Sequence, residues 1–278
     1  MHPRTPLVLS CAAFIAAACS SSGPRHEREA LTWSAPLAAG TTLRLRNLNG
    51  PITVFPIDSG PAVVTAVVRW RGSDALPVHF DSAKTPESTT LCAMWGRGEC
   101  SASQYSNKIN PVSKLLRRSG NVEVRFVAKV PRGVKVDVQT VNGRIEATAT
   151  APVRAVTVNG EIMIATAVGP VTASTVNGSI DARMTKLAEG DVTAKTVNGS
   201  VTLSLPATLT GQLSGSVTNG RISSEFPGTV GRRDFNTSLG TSVRRIRAET
   251  VNGSIDLRQL NAQGVHVSPA VGPAPARP

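Results

Sequence analysis

Aromatic residues make up only 4% of this 278-residue chain: six Phe, three Trp and one Tyr. Any core must therefore be built from small and β-branched side chains, and the abundance of Val, Ala, Thr and Gly favours strands over helices. Histidine is scarce too. His2, His26, His79 and His266 are scattered, which leaves no His-based metal set and no base placed to activate a Ser or Cys nucleophile. Acidic residues are outnumbered by basic ones, 18 to 30. No apolar run reaches the roughly 20 residues that a membrane-spanning helix needs.

The opening stretch, MHPRTPLVLSCAAFIAAACSSSG, has one Arg, an apolar segment from Leu7 to Ala18 and then a serine run. It reads as a secretory signal over residues 1–18. Ala16-Ala17-Ala18-Cys19 resembles a bacterial lipobox, with Cys19 as the acylated first residue and residues 19–30 as a polar tether. Ala-x-Ala also suits ordinary cleavage. Without Arg4 the mature chain has 29 basic and 18 acidic residues, a charge of +11. In an exported protein that charge points to anionic envelope polymers or lipid head groups and away from nucleic acid. Solubility alone is the plain alternative. Of the four cysteines, Cys11 leaves with the signal and Cys19 is the anchor, so Cys92 and Cys100 are expected to form a local disulfide.

What the chain has in quantity is a repeat. Asn-Gly recurs at Asn142-Gly143, Asn159-Gly160, Asn177-Gly178, Asn198-Gly199, Asn219-Gly220 and Asn252-Gly253, with an early copy at Asn49-Gly50. The spacings from Asn142 onward are 17, 18, 21, 21 and 33 residues. Aligned on the Asn, the copies show aliphatic or small residues six and four places before it, one place before it, and three and five places after it. In the copy TVNGSI, these include Val171, Ala173, Val176, Ile180 and Ala182. Five inward columns are expected, with the Thr, Ser and charged positions between them facing water. A two-residue hairpin at Asn-Gly would put Val176 and Ile180 on opposite faces, so the chain is expected to turn a corner and continue. Asn and Gly suit that corner because both tolerate positive φ.

The resulting expectation is an all-β, single-stranded β-solenoid over residues 31–260, right-handed, with coils of about 17–21 residues stacked in parallel. The Asn side chains would form a ladder along one corner. Residues 82–120 read as an irregular, disulfide-pinned insertion, and 261–278 as a disordered tail.

The lipoprotein-type start, the early Asn-Gly copy, the Cys-containing middle and the run of TVNGxI coils together resemble the DUF4097 family, provisionally labelled adhesins. The resemblance covers roughly Leu31 to Leu257. It implies a β-solenoid on an exported bacterial protein and carries over no catalytic residues.

A solenoid enzyme acting on carbohydrate would need two acids on one outward column. Glu146 and Asp181 share such a column two coils apart, near 10 Å, but Arg183 follows Asp181, and solvated surface charge is the simpler reading. Arg144 and Glu161 are expected to form an exposed ion pair. No Gly-x-Ser-x-Gly elbow or calcium-binding nonapeptide is present, so no catalytic residue, metal or cofactor is expected. The remaining candidates are basic: Lys114, Arg117 and Arg118, and above all Arg232, Arg233, Arg244, Arg245 and Arg247, read as one anion-binding cluster. The expected role is binding, adhesion or scaffolding in the envelope through a lipid anchor, with an anionic polymer or another envelope protein as partner. A carbohydrate-active enzyme and an envelope sensor or assembly partner are the alternatives.

Overall fold

The computed structural model describes residues 25–71, 78–108, 122–166, 168–187, 190–261 and 263–266. Cys19, Lys114, Arg117, Arg118 and residues 267–278 of the expected tail lie outside them. The N-terminal part contributes strands β1 (Arg25–Ala35), β2 (Thr42–Arg46), β3 (Ile52–Ile57), β4 (Ala62–Arg71), β5 (Val78–Thr85) and β6 (Ser88–Trp95). A small hairpin of β7 (Arg97–Cys100) and β8 (Tyr105–Lys108) precedes β9 (Glu123–Pro131). The repeats supply β10 (Lys135–Gln139), β11 (Ile145–Ala149), β12 (Val153–Val156), β13 (Ile162–Thr166), β14 (Val171–Ser174), β15 (Ile180–Met184), β16 (Val192–Asn198) and β17 (Val201–Pro206). The chain closes with β18 (Gly211–Asn219), β19 (Ile222–Ser224), β20 (Asp234–Leu239), β21 (Arg245–Asn252) and β22 (Ile255–Leu260). The described residues are all-β.

Each Asn-Gly copy sends one strand into each of two sheets. Before the Asn lie β2, β10, β12, β14, β16, β21 and β18, and after it β3, β11, β13, β15, β17, β22 and β19, each set paired in parallel in that order. Register follows the alignment residue by residue, with Val153 opposite Val171 and Ile162 opposite Ile180. Equivalent residues therefore stack about 4.8 Å apart.

The sheets depart from a single-stranded stack in two ways. They are mixed, because antiparallel strands close the ends: β1 and β4 beside β9, β5 beside β6, and β20 beside β18. The strands also leave chain order at both ends. The last copy in sequence, at Asn252, lies between those of Asn198 and Asn219, and the first, at Asn49, lies between the β6/β9 pair and the Asn142 copy. The 33-residue interval after Asn219 is thus the length needed to add an edge strand and return to a vacant slot.

Two segments expected to be irregular belong to the sheets. Residues 25–30, read as tether, are the start of β1. Within the expected insertion, β6 is buried along its whole length and pairs in parallel with β2. Its outer face is covered by the β7–β8 hairpin, which the Cys92–Cys100 disulfide ties down and Tyr105 secures by donating to the Ala93 carbonyl (2.7 Å).

Four of the five expected inward columns are inward: their members Val171, Ala173, Ile180 and Ala182 are each at most 1% exposed. The valine column is not. Val158, Val176, Val197 and Val251 are 38–40% exposed, whereas Thr140, Thr157, Thr175, Thr196 and Thr250, one residue earlier, are buried at 2–4%. Strand alternation decides this. With positions six and four before the Asn inward, position two must follow. The buried hydroxyls are satisfied: Thr175 donates to the Gly160 carbonyl (3.0 Å), Thr196 to Gly178 (2.9 Å) and Thr250 to Gly199 (2.8 Å). Thr175→Val is expected to cost about 1 kcal/mol by removing that bond. Val176→Thr should stay within about 0.5 kcal/mol. Urea unfolding of the two variants checks the assignment, and the reverse ranking would contradict it.

Candidate functional site

The corner where each copy turns is built from three stacked columns. Asn side chains form an amide ladder, Nδ2 to Oδ1, from Asn159 to Asn142, Asn177 to Asn159, Asn198 to Asn177, Asn252 to Asn198 and Asn219 to Asn252, each at 2.8–2.9 Å. Asn49 instead donates to the Val122 carbonyl (2.7 Å). Backbone bonds run beside the ladder, such as Gly160 N–H to the Asn177 carbonyl (2.9 Å). Each Gly from Gly143 onward in the copies lies directly against the Gly carbonyl of a neighbouring copy, and Gly50 against that of Val124: a Cβ on Gly160 would fall onto the Gly143 oxygen, and one on Gly178 onto that of Gly160. Close approach, more than positive φ, is what requires Gly here, since Gly143 and Gly160 do not occupy the left-handed region.

Outside this corner runs the valine stripe. Alongside it a shallow groove is lined by Val176, Val197, Val251, Ser174, Lys195 and Glu249, with Lys195 and Glu249 paired at 2.8 Å. The stripe is apolar, regular and open to solvent. The sequence reading placed these valines inside, so it passed over the surface they form; counting strand parity from the buried Val171 and Ala173 would have found it.

The outer face of the other sheet carries the acids weighed as catalytic candidates. Register puts Met163 between Glu146 and Asp181, so the two acids lie two strands apart, roughly 10 Å. Burial raises the Asp181 carboxyl above its ordinary range; Arg258 opposes this, Glu161 adds to it and Arg183 opposes it. Two guanidinium groups beside a half-exposed acid describe a surface charge network. Arg144 and Glu161 pair at 2.7 Å on the same face. Among the described residues no group of three or more His, Cys, Asp or Glu is placed to hold a metal ion.

The C-terminal arginines do not form one patch. Arg245 aligns with Gln212 at one end of β18, and its N–H donates to Asp191. The carbonyl of Arg233 accepts from Val217 at the other end, five residues away, or about 16 Å along the strand. Arg232 adjoins Arg233, Arg244 adjoins Arg245, and Arg247 pairs with Glu249 (3.4 Å). A tighter basic group lies elsewhere, on β2, β10 and β12. There Arg44, Arg46 and Arg154 all reach Asp137, at 3.5, 2.9 and 3.2 Å. These residues are up to 110 positions apart in sequence, and only the outward columns of the alignment bring them together.

Residues 114–258, just over half of the chain, match the family described as Toastrack DUF4097. The chain belongs to the Toastrack DUF4097 family. The family's matched segment holds every Asn-Gly copy except that of Asn49, and the β6/β9 end of the fold lies mostly outside it. Two solved structures are similar at low level. One, provisionally named a cell adhesion protein from Clostridium sporogenes, is 9% identical with a TM-score of 0.44, over 85% of this chain and 100% of its own. The other, provisionally named an adhesin from Bacteroides fragilis, is 9% identical with a TM-score of 0.32, over 82% and 96%. No curated protein matches the chain.

Proposed function

We propose that this Toastrack protein is a non-enzymatic binding module with an adhesion role in the bacterial envelope, exported, and anchored through an acylated Cys19. The observation that carries the reading is the register of the corner. A line of half-exposed valines, repeated at strand spacing beside Lys195, is a repetitive surface suited to a repetitive partner, because each added contact is made at high effective concentration. The mature charge of +11 favours an anionic envelope polymer as that partner. The Cys92–Cys100 disulfide fits an oxidising compartment. In this reading Arg232, Arg233, Arg244, Arg245 and Arg247 add to long-range attraction from two separate places and do not define a pocket.

The test is binding of the full chain to purified envelope glycans and to lipid vesicles at low and high salt. Binding to an anionic polymer should weaken at high salt. It should fall at least tenfold in a Val176→Asp/Val197→Asp double variant whose thermal unfolding is unchanged. Absence of binding at both salt concentrations, or full binding by the double variant, would sink this reading. The exposed valines also favour a second reading, an apolar segment of another envelope protein as partner, and salt-insensitive binding to such a protein would select it.

A further inference from the structure

On the outer face of the pre-Asn sheet, one row crosses five strands: Thr90, Arg44, Asp137, Arg154 and Thr172. Arg46, one row over, turns into the same place. Among the described residues, Asp137 is the single carboxylate that pairs with these three guanidinium groups. Its Oδ1 takes Arg46 Nη1 (3.1 Å) and Arg154 Nη1 (3.2 Å), and its Oδ2 takes Arg46 Nη2 (2.9 Å) and lies 3.5 Å from Arg44 Nε. Three hydrogen bonds and one ion-pair contact engage both carboxylate oxygens. The cluster is left with two positive charges in excess.

The three arginines are not equivalent. Arg46 is spent: its side chain is 9% exposed, it holds Asp137 through both terminal nitrogens, and it also donates to the Asp137 carbonyl (2.8 Å). Arg44 offers Asp137 only its Nε, and its Nη1 is buried with no hydrogen-bond partner among the described residues. Arg154 uses one nitrogen and is half exposed. Opposite Arg44 on β6, the fully buried Thr90 hydroxyl also has no partner among the described residues. Unpaired buried donors are costly, and guanidinium forks match oxyanions bidentately. Two such forks flank one carboxylate from opposite sides.

We propose that Arg44 and Arg154 hold a phosphate-type oxyanion across Asp137, with Arg46 fixing Asp137 in place. The Arg44 side chain keeps 24% exposure and Arg154 50%, so both side chains are open to solvent. The site does not involve the valine stripe and stands or falls separately from the polymer reading.

Thermal unfolding of the full chain in inorganic phosphate, against chloride at equal ionic strength, tests it, with phosphorus-31 line broadening as a direct readout of binding. Phosphate should raise the transition in a saturable way, since a ligand that binds the native state stabilises it by mass action. Arg154→Gln and Arg44→Gln should each weaken phosphate binding tenfold or more, and Arg258→Gln, on the other sheet, should not. Vesicles containing phosphatidylglycerol form a second arm. Loss of their binding in Arg154→Gln marks a lipid head group as the source, whereas a response to free phosphate alone marks a soluble phosphate. No phosphate-specific shift or broadening in the wild-type chain, or wild-type affinity in Arg154→Gln, would overturn the proposal.

Discussion

Gly160→Ala is expected to destabilise the protein by more than about 4 kcal/mol, a loss reserved for substitutions that force backbone apart. The added methyl would occupy the position of the Gly143 carbonyl oxygen, and that oxygen is backbone, which cannot swing away. Gly160 is itself stacked against by Gly178, so a displaced corner is passed to the next copy. Gly60→Ala is the control. Gly60 has φ of 100°, but a methyl added there would meet nothing within 4 Å, so it should lose only the left-handed preference, about 1–2 kcal/mol. Urea unfolding midpoints separate the two causes. Equal losses at the two sites would mean that conformation, and not stacking, sets the need for Gly in the corner. Asn177→Ala should cost less than Gly160→Ala, because the amide ladder is solvent-exposed and its bonds compete with water.

Ending the chain at residue 240 is expected to remove two copies from the fold, not one. The deletion takes away β21 and β22, which form the only parallel link between the Asn198 copy and the Asn219 copy among the described residues. β18 and β19 remain in the chain but lose β21 and β22, and the pair of β18 and β20 alone is marginal in water. Hydrogen exchange should show β18 amides losing protection while those of β12 and β14 keep theirs. The new edge at β16 and β17 would bare Ala194, Leu203 and Leu205, so association of the truncated chain is expected as well. Retained protection in β18 would show that the Asn219 copy docks without its neighbour.

The repeat made most of the stack legible. Columns of Val, Ala and Ile at fixed distances from Asn predicted which residues pair, and Val153 does face Val171 and Ile162 face Ile180. The error at Val176 came from trusting side-chain polarity over alternation. A threonine is acceptable inside when a neighbouring carbonyl accepts its proton, and Thr175 has that carbonyl in Gly160. Hydrophobicity alone does not reveal such a partner, because it belongs to a different copy.

The ends were less legible for a different reason. Repetition says that copies stack but not in which order, and a chain can fill a slot late if the connection is long enough. The interval between Asn219 and Asn252 showed that something intervenes, yet its sequence did not say that the returning copy lies inside. β6 was obscured in the same way: Ser88, Thr89, Thr90 and a cysteine conceal a strand whose outer face is covered by its own hairpin. The basic site at Asp137 required both registers at once, since its residues come from three copies.

The late-filled slot has a mechanical consequence. Tension applied at the C-terminal end enters through β22, a strand flanked on both sides by parallel neighbours, β17 and β19. Such a strand cannot be peeled one bond at a time from a free rim; it must slide against two partners together. A protein tethered at one end and loaded at the other would resist extraction through shear at this slot.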